Sequence, residues 1–171
     1  VDDVMGSEKV AEPLKKLDIS PISDGAVCLI LATEERARKF KTKPVWLKGV
    51  GFCCDAYQLG DRDLSTCKPL EIAAQKAYKM AGISNPRKEI DVAEVYDAFS
   101  YQELMWTEGL GFCGKGEGGH LVTSGATQKD GDIPVNPSGG LLSGHPVIAA
   151  GMYRIAEAAR QIRGEAGGMQ V

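Results

Sequence analysis

The sequence lacks the long apolar runs and the basic surplus that mark membrane-spanning and nucleic-acid-binding chains. Its longest apolar run, at about residues 26–32, has the length of a strand, whereas a helix needs about 20 apolar residues to cross a bilayer. Lys and Arg number 20 against 23 Asp and Glu, for a formal net charge of −3. A mildly acidic chain has no basic surplus for neutralising phosphates. We therefore expect no membrane span and no nucleic-acid partner.

The cysteines lack the spacing of a metal site or a disulfide framework. There are five, an odd number, with no CxxC and no Cys/His spacing of the kind that binds a metal. Cys53 and Cys54 are adjacent, and adjacent residues bridge only under strain. We therefore expect reduced thiols, a cytoplasmic location and no bound metal. The glycine-rich stretch at residues 109–120 also lacks the GxxxxGK[ST] spacing of a phosphate-binding loop.

What remains is an ordinary globular composition, with 43% hydrophobic and 25% charged residues in 171. This length suits one compact domain or half of a two-domain protein. The chain begins at Val1 without an initiator Met and ends shortly after a glycine pair, so we expect a fragment of a longer polypeptide.

Hydrophobic periodicity predicts strands that alternate with helices, which is typical of a layered α/β fold. The predicted strands are residues 26–33, 44–52 and 91–96. The predicted helices are residues 7–17, 34–40, 69–81, 99–109 and 146–163. The last helix is expected to turn an apolar face inward, formed by Ile148, Met152, Ile155, Ala159 and Ile162.

His145 is the first candidate catalytic residue. Three glycines, Gly139, Gly140 and Gly144, precede it, and Pro146 is predicted to open a helix just after it. The positive end of a helix dipole disfavours an imidazolium, so we expect a neutral ring. A neutral imidazole can accept a proton from a thiol or donate its N–H to an oxyanion. The alternative is that His145 only caps the helix.

Tyr96 is the second candidate, in a segment predicted to switch from strand to helix. Ligands of α/β proteins gather at the carboxyl ends of strands, and a phenol can donate a hydrogen bond to an oxyanion. The alternative is an ordinary core or surface tyrosine. We interpret the next residue, Asp97, as a cap of the following helix.

These segments, in their order along the chain, resemble the C-terminal half of the thiolase superfamily. The similarity is greatest to the sterol-carrier-protein-type thiolases and their archaeal and bacterial relatives. The resembling pieces include the Gly144-His145-Pro146 triplet and span nearly the whole chain. They are residues 20–26, 93–100, 109–113, 116–118, 135–140, 144–146 and 161–167.

The resemblance implies that residues 1–171 form a thiolase-like C-terminal domain without its final strands. In the family, two βαβαβαββ halves stack in five α/β layers, and the nucleophilic Cys belongs to the N-terminal half. His145 would activate that Cys and line an oxyanion hole, and Tyr96 takes the position of a further oxyanion residue. Substrate-binding positions fall at Asn136, Ser138, Gly139 and Gly140.

Tyr96 is also the main departure, because the family has His or Asn at this position. A phenol, with a pKa of about 10 against about 6.5 for imidazole, is a poor general base at neutral pH. We expect a thiolase-type acyltransferase that cleaves 3-ketoacyl-CoA or runs the reverse Claisen condensation. The alternatives are a thiolase-like retro-aldolase acting on a β-hydroxyacyl-CoA, and a non-catalytic lipid- or protein-binding module.

The resemblance also implies the partners. The substrates are acyl-CoA and CoA, with no further cofactor. The full-length protein is expected to be a homodimer, and some relatives work with a small zinc-ribbon/OB-fold partner protein.

Overall fold

Seven helices make up most of the regular structure of residues 1–171, all of which the computed structural model describes. They are α1 (Asp2–Gly6), α2 (Glu34–Ala37), α3 (Lys68–Ala81), α4 (Pro86–Glu89), α5 (Ser100–Gly109), α6 (Gly118–Thr123) and α7 (Ala150–Arg163). Single 3₁₀ turns lie at Lys16–Asp18, Leu59–Asp61, Val147–Ala149 and Gly167–Met169. The antiparallel strands β1 (Lys9–Ala11) and β2 (Leu14–Lys15) pair Lys9 with Lys15 and Ala11 with Leu14.

The chain divides into two compact units. Unit 1 comprises residues 1–45, 94–102 and 135–171, and unit 2 comprises residues 46–93 and 103–134. The core of unit 1 is a cluster of Ala98, Leu141 and Ala150, with Phe99 packed against it. This cluster joins the segments that follow Tyr96 and precede His145, so it positions both candidate residues.

In unit 2 the longest helix is α3, and it confirms its sequence prediction. Pro69 lies in its first turn, where a missing N–H costs nothing. Gly82 ends the helix with a φ of +75° and donates its N–H to the Tyr78 carbonyl. The segment around Gly51 runs close beside α3, because a Cβ on Gly51 would overlap the Ala73 carbonyl.

The predicted helix at residues 146–163 begins later than expected. Val147 has a φ of +30°, and residues Val147–Ala149 form a 3₁₀ turn before α7 starts at Ala150. His145 therefore lies outside the first turn of α7. The helix dipole acts mainly within the terminal turn, and the expectation that it keeps the His145 ring neutral stays a prediction. The tautomer of the ring depends on its hydrogen bonds.

The predicted strands at residues 26–33, 44–52 and 91–96 do not form ladders, and the predicted helix at residues 7–17 is replaced by the β1–β2 hairpin. Isolated bridges instead join Ile19 to Phe99, antiparallel, and Ile22 to His145, parallel. A strand requires a neighbour that accepts and donates its backbone hydrogen bonds. The apolar pattern reports what a segment can bury, and it carries no information on whether that neighbour is present.

The apolar face predicted to point inward from residues 146–163 is largely exposed. Ile148 is 98% exposed and Ile155 is 58% exposed, with Met152 and Ile162 also on the surface. Helical periodicity identifies an apolar face but not the element that covers it.

No helix of the structure is both long and apolar enough to span a bilayer.

Candidate active site

The two residues that the sequence singled out as catalytic lie in contact in unit 1. The Tyr96 hydroxyl is 2.7 Å from His145 Nε2, and the two rings meet edge to face with centroids 5.3 Å apart. The other ring nitrogen, Nδ1, lies 3.0 Å from the Ser20 hydroxyl. Tyr96 is 40% exposed, so solvent reaches its side chain.

The backbone around His145 is tied to the chain segment that carries Ser20. His145 donates its backbone N–H to the Pro21 carbonyl at 3.1 Å, and its carbonyl accepts the Ser23 N–H at 3.1 Å. Ser20 in turn donates its backbone N–H to the Ala98 carbonyl at 2.9 Å. Residues 19–23 therefore hold the His145 loop and the segment after Tyr96 together.

The residues that flank Tyr96 are bound to the glycine loop at residues 136–141. The Val95 N–H donates to the Asn136 side-chain carbonyl at 2.7 Å, and the Leu141 N–H donates to the Asp97 carboxylate at 2.6 Å. Asp97 is 3% exposed. Its predicted role as a cap of α5 is therefore wrong, since its carboxylate binds the glycine loop. Burial raises the pKa of Asp97, and the Leu141 N–H opposes that rise.

A buried ion pair lies immediately before Tyr96. The Arg154 guanidinium, on α7, is 2.7 Å from the Glu94 carboxylate, whose side chain is 1% exposed. The Ser138 hydroxyl donates to Glu94 at 2.7 Å and accepts from Arg154 at 2.9 Å. Burial raises the pKa of Glu94, while the Ser138 hydrogen bonds and the Arg154 charge oppose the rise. This triad attaches the Tyr96 segment to α7.

The four residues predicted to bind substrate form the loop that supports this arrangement. Asn136 is buried and Ser138 is half-buried, and their side-chain oxygens already bind the Tyr96 segment. Gly139 and Gly140 have φ values of +92° and +61°. Their role in substrate binding stays a prediction, and the loop has a structural role beside it.

Position 140 requires a glycine, because the Asp97 carboxylate lies close to its Cα. A Cβ at this position would overlap the Asp97 carboxylate. We expect Gly140→Ala to destabilise the full-length protein by about 2–4 kcal/mol, from the positive φ and the overlap together. Urea denaturation measures the loss. Gly164→Ala is the matched control, because Gly164 has a φ of +77° but open space around it. If the two variants lose equal free energy of unfolding, the prediction fails, because the Asp97 carboxylate then moves away from the new Cβ without cost.

Ser20, Glu94 and Arg154 were not identified as site residues from the sequence. Ser20 and Glu94 lie within the segments that carried the resemblance, but nothing in their spacing predicted a contact with His145 or Arg154. Arg154 lies nine residues beyond His145 on a helix, and only the fold reveals that it points at Glu94. No group of three or more His, Cys, Asp or Glu side chains could hold a metal ion.

The His145 imidazole lies between two hydroxyl groups, those of Ser20 and Tyr96, and can pass a proton from one oxygen to the other. A neutral imidazole has one N–H donor and one lone pair, and hydroxyl groups can serve either nitrogen. When Nε2 carries a proton it can donate to the Tyr96 oxygen, which leaves the half-exposed Tyr96 O–H to donate to a bound carbonyl.

Residues 51–171 match the family described as "Thiolase C-terminal domain-like". The chain belongs to the thiolase family. It is 46% identical, over 173 residues, to an acetyl-CoA acetyltransferase of Methanothermobacter thermautotrophicus, covering 100% of this chain and 45% of that protein. It is 38% identical, over 179 residues, to sterol carrier protein 2 of Oryctolagus cuniculus, covering 100% of this chain and 32% of that protein.

Among solved structures, the thiolase-family chain is similar to the "Ltp2-ChsH2(DUF35) aldolase". The TM-score is 0.80 at 28% sequence identity, and the match covers 96% of this chain and 44% of that one. This confirms the predicted thiolase-like α/β fold class. The chain spans less than half the length of these relatives.

Proposed function

We propose that the full-length protein is a thiolase-type acyltransferase that acts on acyl-CoA, by thiolysis of a 3-ketoacyl-CoA or by the reverse Claisen condensation. The observation that carries the proposal is the 2.7 Å hydrogen bond between Tyr96 and His145 in a chain of the thiolase family. The nucleophilic Cys is assigned to a part of the protein outside these residues.

In this proposal His145 is both the general base and an oxyanion donor. Its Nε2 takes the proton of the nucleophilic thiol, so that the S–H bond breaks and a thiolate attacks the thioester or ketone carbonyl. The resulting imidazolium N–H then faces the oxygen on which negative charge develops. Tyr96 donates a second hydrogen bond to that oxygen, and each such donor is worth a rate factor of about 100 to 1,000.

The bond that breaks next depends on the substrate. From a thioester the C–S bond to CoA then breaks, and the CoA thiolate takes the proton back from His145. From a 3-ketoacyl-CoA the Cα–Cβ bond breaks, and a second acid–base group outside these residues protonates the acyl-CoA enolate that leaves.

Intact-mass spectrometry tests the activity. The full-length protein is mixed with acetyl-CoA and quenched in acid, and we expect the mass of one acetyl group to appear per chain. Peptide mapping then locates the group on a Cys outside residues 1–171. The absence of any acyl adduct with acetyl-CoA and with longer acyl-CoA substrates would refute the acyltransferase.

A retro-aldolase is the second candidate, and two observations favour it. Tyr96 stands where the family has His or Asn, and the solved structure that the chain resembles is described as an aldolase. In this reaction Tyr96 and His145 remove the hydroxyl proton of a β-hydroxyacyl-CoA while the Cα–Cβ bond breaks. The products are a carbonyl compound and an acyl-CoA enolate that is then protonated, and no acyl-enzyme forms.

Tyr96→Phe separates the two candidates, because it removes only the hydroxyl group. For the acyltransferase we expect the acyl adduct still to form, but about 100-fold or more slowly, because the step loses one oxyanion donor. For the retro-aldolase neither wild type nor variant carries an adduct, and cleavage of the β-hydroxyacyl-CoA falls by a similar factor. The measurements are intact mass and product formation by chromatography. Tyr57→Phe, at a tyrosine that is 93% exposed, controls for loss of a phenol elsewhere.

The proposal extends to partners and location. We propose a cytoplasmic homodimer that uses acyl-CoA and CoA without a further cofactor. We also propose a small partner protein of the zinc-ribbon/OB-fold type, and the name of the solved relative, "Ltp2-ChsH2(DUF35) aldolase", joins Ltp2 to a second component. Sedimentation of the full-length protein alone tests the dimer, and a mass of one chain at high concentration would contradict it.

A further inference from the structure

Ser20 has no part in the activity proposed so far, yet its hydroxyl lies 3.0 Å from His145 Nδ1. It is half-buried, and its backbone N–H is bound to the Ala98 carbonyl. The next residue along, Pro21, accepts the His145 backbone N–H. Ser20 is thus held in place on both sides, by the segment after Tyr96 and by the His145 loop itself.

The identity of the protonated ring nitrogen decides what His145 can do. With the proton on Nδ1, Nε2 presents a lone pair and can accept a proton from a thiol or a phenol. With the proton on Nε2, the lone pair points at Ser20 and the ring can only donate toward Tyr96. The hydrogen bond at one nitrogen sets which tautomer is present, and Ser20 is the side chain at Nδ1.

We propose that Ser20 is a positioning residue, whose hydroxyl oxygen accepts the Nδ1–H of His145 and thereby keeps the lone pair on Nε2, the nitrogen that faces Tyr96. The inference rests on the proposed function in assigning His145 the role of base. When Nε2 takes a proton from the thiol, a thiolate and an imidazolium result, and Ser20 accepts the same Nδ1–H before and after. The transfer therefore requires no reorientation of the serine.

Ser20 also restrains the ring in space. Rotation of the imidazole would break the hydrogen bonds to Ser20 and Tyr96 together, because they lie at its two nitrogens. The parallel bridge between Ile22 and His145 fixes the backbone from which the ring projects. A threonine at position 20 would keep the acceptor oxygen, whereas an alanine would remove it.

Nitrogen-15 NMR of the full-length protein, labelled at histidine, tests the proposal without a substrate. At alkaline pH, where imidazoles are neutral, the protonated and unprotonated ring nitrogens have well-separated shifts. We expect His145, assigned by loss of its signal in His145→Asn, to carry its proton on Nδ1. In Ser20→Ala we expect a mixture of tautomers, and in Ser20→Thr the wild-type pattern.

Acyl-enzyme formation is measured on the same proteins. We expect the rate in Ser20→Ala to fall about tenfold, the ratio that one neutral hydrogen bond supplies. Ser20→Thr should restore it to within about twofold of wild type, since the acceptor remains. Ser23→Ala is the matched control, because the Ser23 hydrogen bond to His145 runs through its backbone N–H, and it should leave the rate and the NMR pattern unchanged.

The outcomes distinguish this inference from the proposed function. A proton on Nε2 in the wild-type protein overturns the role of Ser20, even if Ser20→Ala fails to fold. An unchanged tautomer and rate in Ser20→Ala overturn it as well. If the wild-type protein forms no acyl adduct, the proposed acyltransferase fails, while the NMR measurement still decides the position of the proton.

Discussion

His145→Ala in the full-length protein is expected to abolish acyl-enzyme formation from acetyl-CoA. The variant loses the only imidazole at the candidate site, and with it the proton acceptor for the nucleophilic thiol. General-base catalysis is worth a factor of about 100 to 10,000, and an oxyanion donor is worth about 100 to 1,000. We therefore expect the rate of acylation to fall at least about 1,000-fold, measured by quenched intact-mass spectrometry.

The chain supplies a matched control for this experiment. His120 is its other histidine, exposed on α6 in unit 2. His120→Ala removes an imidazole without touching the candidate site, and its acylation rate should match that of wild type. Labelling of His145→Ala at the wild-type rate, with circular dichroism showing a folded protein, would contradict the proposed role of His145.

Arg154→Met is expected to have the largest effect on stability. It removes the cation from a buried pair and leaves the Glu94 carboxylate without its charged partner. Breaking a buried ion pair on one side costs about 3–5 kcal/mol, because an uncompensated charge stays buried. Urea denaturation of the full-length protein measures the free energy of unfolding, and Tyr96 should become more mobile in the same variant.

The loss in Arg154→Met should depend on pH. Burial already raises the pKa of Glu94 in the folded protein, and removal of Arg154 raises it further. A folded carboxyl whose pKa lies above its unfolded value contributes stability that is present at low pH and lost as the pH rises through the folded pKa. We therefore expect the variant to approach wild-type stability toward acid pH and to fall furthest behind it at neutral pH.

Two further variants check the explanation. Glu94→Gln combined with Arg154→Met removes both charges and should recover part of the loss. Arg160→Met breaks an ion pair with Glu157 that is partly exposed, and such pairs contribute at most about 1 kcal/mol. A cost for Arg154→Met no greater than that of Arg160→Met would show that the Glu94 charge is solvated.

The sequence identified Tyr96 and His145 because each lies in a short pattern with local meaning. A histidine between glycines and a proline, and a tyrosine at the end of an apolar alternation, are visible in one dimension. The same local reasoning predicted α3 from its apolar face, Pro69 and Gly82. It failed for the strands at residues 26–33, 44–52 and 91–96, because strand pairing depends on a neighbour that is distant in sequence.

By itself, the sequence determined the family, the position of the main helices and the two side chains at the candidate site. Only the tertiary structure decided that Ser20 and Tyr96 bind opposite nitrogens of His145, and that Arg154 pairs with Glu94 across 60 residues. Local patterns reflect backbone preferences and one-sided burial, which act over a few residues. A hydrogen bond between residues distant in sequence depends on the fold of the whole chain, so it cannot be predicted from a short segment.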